Sequence, residues 1–285
     1  MKTFGKSDLN KLYKPASASS GEDNGQVTII GGSKLFHGAP LLSLKVASRI
    51  VDMVFFASPE PSVGEVAQRI KSDLFSFIWV PWGEVAQYVE KSDAVLIGPG
   101  LMRYKKESQN SNIKTQNLDQ EGKKTRRITE KLLKKFPNKK WVIDAGSLQV
   151  MDADWIPNQA VLTPNKKELE ILFGKNKKLQ SQAKKYNCTI VAKGPETIVF
   201  SPEEYIKIQG GNPGLTKGGT GDVLAGLTLA LLAKNNPPLA SCAASYVLKN
   251  AADELYKKVK TFYNADDLAD NIPKTLHRLM ISKVP

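Results

Sequence analysis

The stretch from Gly211 to Gly226 reads GNPGLTKGGTGDVLAG, with six glycines and one acid, Asp222, at the head of the apolar run VLAGLTLALLA. Glycine costs backbone entropy in a regular element, so such a cluster marks close backbone approach or angles that other residues avoid. The amides of a glycine-rich turn opening a helix form an anion site, and the helix dipole reinforces it. A carboxylate in the first helical turn beside that site suits phosphoryl transfer to a hydroxyl. Backbone donors hold the transferring group while the acid takes the hydroxyl proton. The same acid would also serve as an ordinary helix cap. The turn is neither a Walker A loop, since the order G-x-x-x-x-G-K-S/T is missing, nor a GxGxxG fingerprint.

Further loops carry residue types that bind ligands: GGSKLFHGAP (31–40), GPG (98–100), DAGS (144–147), TPNKKE (163–168) and KGPET (193–197). Taken singly, a Gly-Pro-Gly is a turn, Asp144 is a cap and Lys193 is a solvated cation. Their shared position at the ends of β-rich runs is what makes them a set. Those runs are VTIIG (27–31), DMVFFA (52–57), FSFIWV (75–80), AVLIG (94–98), WVIDA (141–145), AVLT (160–163) and TIVAKG (189–194). Segments of helical period separate them, which is βαβ repetition. Runs without apolar/polar alternation are buried on both faces, so the expected fold is α/β: a mainly parallel central sheet with helices on both faces. In such sheets, ligands sit beyond the carboxyl ends of strands. ETIVFSPEEYIKIQG (196–210) reads as a hairpin, and the chain from Asp222 onward reads as helical. Residues 1–24 read as a polar N-terminal arm, and 25–285 as one domain.

A chain of 285 residues with 41% hydrophobic and 24% charged residues is globular. Cys188 and Cys242 are too far apart for a metal knuckle and read as buried thiols in a reducing compartment. No apolar run is long enough to span a bilayer, so the expected location is the cytoplasm. With only His37 and His277, neither a serine triad nor a histidine metal site is expected. The aromatic run 75–79 reads as core strand. The formal charge of +13 is concentrated in 103–136, which lacks the interleaved aromatics that stack bases. That segment is expected to be a solvated loop followed by a surface helix, with nucleic acid an improbable partner. A substrate rich in phosphates would suit the same charge.

GTGD before an apolar helix resembles the ribokinase-like superfamily, and GNPGLTKGGTGDVLAG resembles the ADP/ATP-dependent NAD(P)H-hydrate dehydratase family within it. The likeness extends through GGSKLFHGAP, GPG, LTPNKKELEILFG, VAKGPET and NADDLADNIPKTL, in the family's order, over about residues 25 to 275. The resemblance implies a carbon–oxygen lyase that repairs hydrated NADH or NADPH with ADP or ATP as co-substrate. Phosphorylation of the ring 6-hydroxyl turns a poor leaving group into a good one.

It implies Asp222 as the catalytic base and Gly219, Thr220 and Gly221 as the anion hole. Ala39, Gly100 and Asn165, with Asp222, would hold the substrate. Lys193, Gly194, Pro195, Glu196 and Thr197, with Gly221, would hold the nucleotide. Asn165 and Glu168 form an N-x-x-E pair whose oxygens suit Mg2+ through water. It also implies a homo-oligomer and an epimerase on a separate chain. The sequence departs from the family at Asn165, where a histidine is expected, at Met102 and at Gly146. Two other readings stay open: a ribokinase-like kinase that releases a stable phosphate ester, and a nucleotide- or nucleic-acid-binding protein without turnover.

Overall fold

The computed structural model describes residues 2–70, 73–104 and 116–281. Its strands are β1 (Lys2–Thr3), β2 (Gln26–Ile30), β3 (Met53–Ala57), β4 (Ile78–Trp79), β5 (Ala94–Ile97), β6 (Lys140–Ile143), β7 (Val161–Leu162), β8 (Thr189–Ala192), β9 (Thr197–Phe200) and β10 (Tyr205–Ile208). They form one sheet in the order β1-β10-β9-β8-β7-β6-β5-β2-β3-β4. All pairings are parallel except those of β9 with β8 and β10. The hairpin read at 196–210 is the antiparallel β9–β10 pair.

Alternation along each strand feeds two cores. Val27, Ile29, Val54, Phe56, Ala94 and Leu96 face one cluster, while Ile30, Phe55, Val95 and Ile97 face the other. The first core is covered by α1 (Gly38–Ala47), α2 (Pro61–Ile70) and the late helices α8 (Thr220–Lys234), α9 (Pro237–Val259) and α10 (Ala265–Ile281). The second is covered by α3 (Val85–Lys91), α4 (Gln116–Lys135), α5 (Ala145–Val150), α6 (Lys166–Phe173) and α7 (Leu179–Lys185). This is the expected α/β arrangement with helices on both faces. Helix α8 is apolar around its whole circumference because α1 and α9 pack on it as well as the sheet.

Two expectations need correction. Of the run 75–80 only Ile78–Trp79 is strand, and Phe75 is 78% exposed. As the sheet's edge, β4 is short and leaves one side open, so only Phe77 and Val80 of this run are buried. The stretch read as a polar arm is more than that. Lys2–Thr3 pairs with β10, and Phe4, Leu9 and Leu12 join the first core. Those three apolar residues are spaced too widely among charges to signal burial. Within the basic segment, α4 buries Thr125, Thr129, Leu132 and Leu133, and residues 105–115, on which the expectation of a solvated loop falls, lie outside the described residues.

Strand β2 has β3 on one side and β5 on the other, so the chain reverses its direction of travel between β2 and β5. That is the topological switch point, where the carboxyl ends of adjacent strands leave a crevice.

Candidate active site

The loops after β2 and β5 meet at that switch point. Gly32 N–H donates to Pro99 O at 2.8 Å. At Gly100, with φ 71°, an added Cβ would lie 2.5 Å from Phe36 O, so backbone contact between the two loops requires glycine there. Helix α1 begins in the first of these loops and carries Ala39 in its first turn. About one turn later, Ser43 Oγ donates to Asp222 O at 2.7 Å, which ties α1 to the start of α8. Asp222 thus lies between the switch-point loops and the next loops along the sheet.

Those next loops enclose a cavity of about 730 Å³ beyond β6, β7 and β8. It is lined by Asn165, Glu168, Lys193, Gly194, Pro195, Thr197 and the turn Gly218 to Asp222. Glu196 points away, 64% exposed, and pairs with Lys207. Ala39 and Gly100 lie at the switch point rather than in this lining. The structure therefore brings together ten of the thirteen sequence-expected site residues, and leaves Glu196, Ala39 and Gly100 outside the cavity wall.

Gly219 caps α8 in the left-handed region (φ 91°), and an added Cβ would lie 2.5 Å from Leu42 Cδ1 and 2.8 Å from Ala265 Cβ. This turn lines the cavity, where the start of a helix leaves backbone amides without intrahelical partners. Thr220 does not offer its hydroxyl, which donates to Leu215 O at 2.8 Å and Lys217 O at 2.9 Å and braces the turn. Gly221 faces Lys193: a Cβ there would sit 3.4 Å from the ammonium nitrogen. The anion turn and a cation are therefore opposed across a gap the width of one group.

Lys193 is positioned by Asp144, whose Oδ1 accepts from Nζ at 3.0 Å; the Asp144 side chain is 3% exposed. Burial pulls the Lys193 pKa down, but Asp144 and Glu168 outweigh it and hold the ammonium above its ordinary value. Asp222 feels the same surroundings with opposite sign. Burial, then the neighbouring Asp144 carboxylate, push it up to about 7 against the pull of Lys193. A carboxyl with that pKa is poised to take and return a proton near neutrality. The cap reading of Asp222 is not met, since the cap position belongs to Gly219 and carries no side-chain bond.

The raised pKa makes a stability prediction. Between the ordinary 3.8 and about 7, the folded chain binds a proton that the unfolded chain releases. The stability this group supplies is therefore complete at low pH and is lost as pH rises through about 7. We expect Asp222→Asn to melt above the parent at about pH 8 and to lose that advantage only as pH falls to the ordinary 3.8. A melting difference that does not vary with pH would refute the assignment.

Asn165 and Glu168 are first of all a capping box on α6. Glu168 N–H donates to Asn165 Oδ1 at 3.0 Å, and Asn165 N–H donates to Glu168 Oε2 at 2.9 Å. Gln149 Nε2 donates to the other carboxylate oxygen at 3.0 Å. Burial raises the Glu168 pKa, and Asp144 adds to the effect. Among the described residues no three metal-ligating side chains converge. The donor set fits Mg2+ carried by nucleotide phosphates and reached through water, not an all-protein cage.

Asp144 and Lys249 are among the lining residues that escaped the sequence reading as site members. Asp144 was visible only as a strand-end acid. Lys249, on α9, is 4% exposed and also lines the cavity. Its one signal is a lysine on the buried stripe with Ser245 and Ala252. Cys188 and Cys242 are buried as expected, and burial pushes both thiols up to about 12. No helix among the described residues is long and apolar enough to cross a membrane.

Residues 27–274 match the family model described as NAD(P)H-hydrate dehydratase. The chain is 33% identical over 277 residues to the bifunctional NAD(P)H-hydrate repair enzyme of Methanocaldococcus jannaschii, covering 94% of this chain and 51% of that protein. It spans about half the length of the curated relatives named bifunctional. The ADP-dependent (S)-NAD(P)H-hydrate dehydratase of Nitrosopumilus maritimus is 29% identical over 271 residues, 88% of each chain. A Bacillus subtilis ADP/ATP-dependent NAD(P)H-hydrate dehydratase, crystallized with ATP/Mg2+, shares the fold at TM-score 0.74 and 22% identity, over 98% of both chains.

Proposed function

The chain belongs to the NAD(P)H-hydrate dehydratase family, and from that we propose that it dehydrates hydrated NADH or NADPH at the expense of ADP or ATP. The observation that carries this reading is Asp222. It is a half-buried carboxyl whose pKa is pushed up to about 7, set in the turn that faces Lys193 across the cavity.

The nucleotide occupies the cavity, held by Lys193, Gly194, Pro195, Thr197 and Gly221, with its terminal phosphate against the glycine-rich turn at Gly219 to Gly221. The nicotinamide end of the substrate comes from the switch-point side, past Ala39, Gly100 and Asn165. Asp222 accepts the proton of the ring 6-hydroxyl as that oxygen bonds to the terminal phosphorus, and the bond from phosphorus to the nucleotide breaks. Phosphate then leaves with the electrons of the carbon–oxygen bond. Loss of a proton from the adjacent ring carbon restores the double bond. Mg2+ bound to the nucleotide would offset phosphate charge, with Asn165 and Glu168 reaching it through water. Lys193 supplies the fixed positive charge that Asp144 orients.

An epimerase activity is the partner this reading calls for, with a homo-oligomer as the expected assembly and the cytoplasm as the compartment. The test is to incubate hydrated NADH or NADPH with Mg2+ and ADP, ATP or no nucleotide, and to follow dihydronicotinamide absorbance. Recovery only with nucleotide supports the proposal. No recovery with either nucleotide would overturn it.

The electrostatics also set a pH signature. Asp144 holds the Asp222 pKa up, so Asp144→Asn should move the acid limb of the rate profile downward from about 7 while weakening nucleotide binding through the misplaced Lys193. An acid limb that stays in place would remove Asp144 from the account.

A further inference from the structure

We propose that Lys249 is a positioning residue, a built-in cation that fixes the two loops forming the nucleotide end of the cavity. The inference rests on the nucleotide-dependent reading above. Lys249 Nζ donates to Pro195 O at 3.1 Å, Gly210 O at 2.9 Å and, more weakly, Ile208 O at 3.4 Å. Pro195 belongs to the loop after β8, and Ile208 and Gly210 belong to the strand end and loop that lead into the glycine-rich turn. From α9, one buried ammonium thus ties together the two ends of the β9–β10 hairpin, and its three donors are matched by three carbonyls.

The arrangement is costly unless it serves the geometry of those loops. A buried ammonium loses its hydration, and carbonyl dipoles must replace it. The hydrogen-bond partners of Lys249 are all carbonyls, and Asp253, four residues later on α9, is otherwise engaged. Its Oδ2 accepts Gly211 N–H at 2.9 Å and its Oδ1 accepts Asn212 Nδ2 at 3.0 Å. Asn212 Oδ1 in turn accepts Gly214 N–H at 2.9 Å and the Tyr263 hydroxyl at 2.8 Å. Lys249 and Asp253 therefore hold successive parts of one loop from one face of α9. Only Lys249 extends the hold to the loop bearing Lys193 and Thr197. Carbonyl oxygens converging on a positive centre are also the donor set a small cation takes, so the chain supplies as a side chain what an ion could supply.

The effect falls on nucleotide binding, because the hydrogen bonds of Lys249 go to Pro195, Ile208 and Gly210 and not to the anion turn or Asp222. Lys249→Met keeps the apolar stem and removes the charge, leaving the carbonyls unmatched. We expect its affinity for ADP and ATP, measured directly by calorimetry without hydrated substrate, to fall about tenfold to a hundredfold. Turnover at saturating nucleotide should stay within about threefold of the parent, which is the pattern of lost binding rather than lost chemistry. In Lys249→Ala, which opens space for an ion, ammonium or methylammonium chloride should restore part of the nucleotide affinity, whereas tetramethylammonium chloride should not. Because binding is read without the hydrate, a protein that binds nucleotide normally but repairs nothing contradicts the proposed function and leaves this test intact. Unchanged nucleotide affinity in folded Lys249→Met would overturn the assignment. So would a fall in saturated turnover equal to the fall in affinity, or absence of rescue by ammonium. Failure of both variants to fold would assign Lys249 to the core instead.

Discussion

Asp222→Asn should bind ADP or ATP as the parent does and should repair hydrated dinucleotide about a hundred to ten thousand times more slowly, the usual share of a general base. Asparagine keeps the shape and loses the proton acceptor. The surroundings of Asp222 disfavour its charge, through burial and the Asp144 carboxylate, so the neutral amide fits the folded state at least as well. The variant should melt no lower than the parent. Parallel titrations of nucleotide affinity and turnover separate the roles: near-normal turnover, or a loss that tracks unfolding, would contradict the assignment of Asp222 as base.

The glycines of the turn divide into two kinds, and substitutions at them should diverge. Gly219→Val puts a β-branched residue at φ 91° with its Cβ 2.5 Å from Leu42 Cδ1. Left-handed strain and overpacking together should cost about 2 to 5 kcal/mol, with nucleotide binding lost as the turn distorts. Gly221→Val has no such strain: its Cβ would meet only the Lys193 ammonium, at 3.4 Å, from the side where the phosphoryl group enters. We expect its melting temperature to stay near the parent's while nucleotide binding and turnover fall more than tenfold. Thermal melts beside calorimetric titrations check both. Equal destabilisation by the two substitutions would show that the anion turn does not open where we place it.

The sequence was legible where one residue carried the whole signal. The apolar strand runs announced a sheet covered on both faces, and the glycine cluster announced the turn at Gly219 because few other residues can stand there. Asp222 was visible as a lone acid at the head of an apolar helix. What sequence could not reveal was mutual placement. The N-x-x-E pair advertises oxygens for a metal, yet Asn165 and Glu168 meet as reciprocal caps, a role with the same spacing. Thr220 reads as a phosphate ligand until its hydroxyl is seen bound to the carbonyls of Leu215 and Lys217. Phe4, Leu9 and Leu12 are too few and too widely spaced to signal burial, which comes from packing of this segment on α9 and α10. Lys249 lies far from every motif in the chain and reaches the cavity only through the packing of α9.

The most direct test of the central claim is stoichiometric. Hydrated NADH is mixed with the enzyme, Mg2+ and ADP or ATP, and inorganic phosphate and restored dihydronicotinamide are measured in the same sample over one and many turnovers. The account predicts one phosphate released for each NADH restored, with neither appearing in the Asp222→Asn variant beyond its residual rate. Accumulation of a stable phosphorylated hydrate without restored NADH, or phosphate released with no repair, would contradict it.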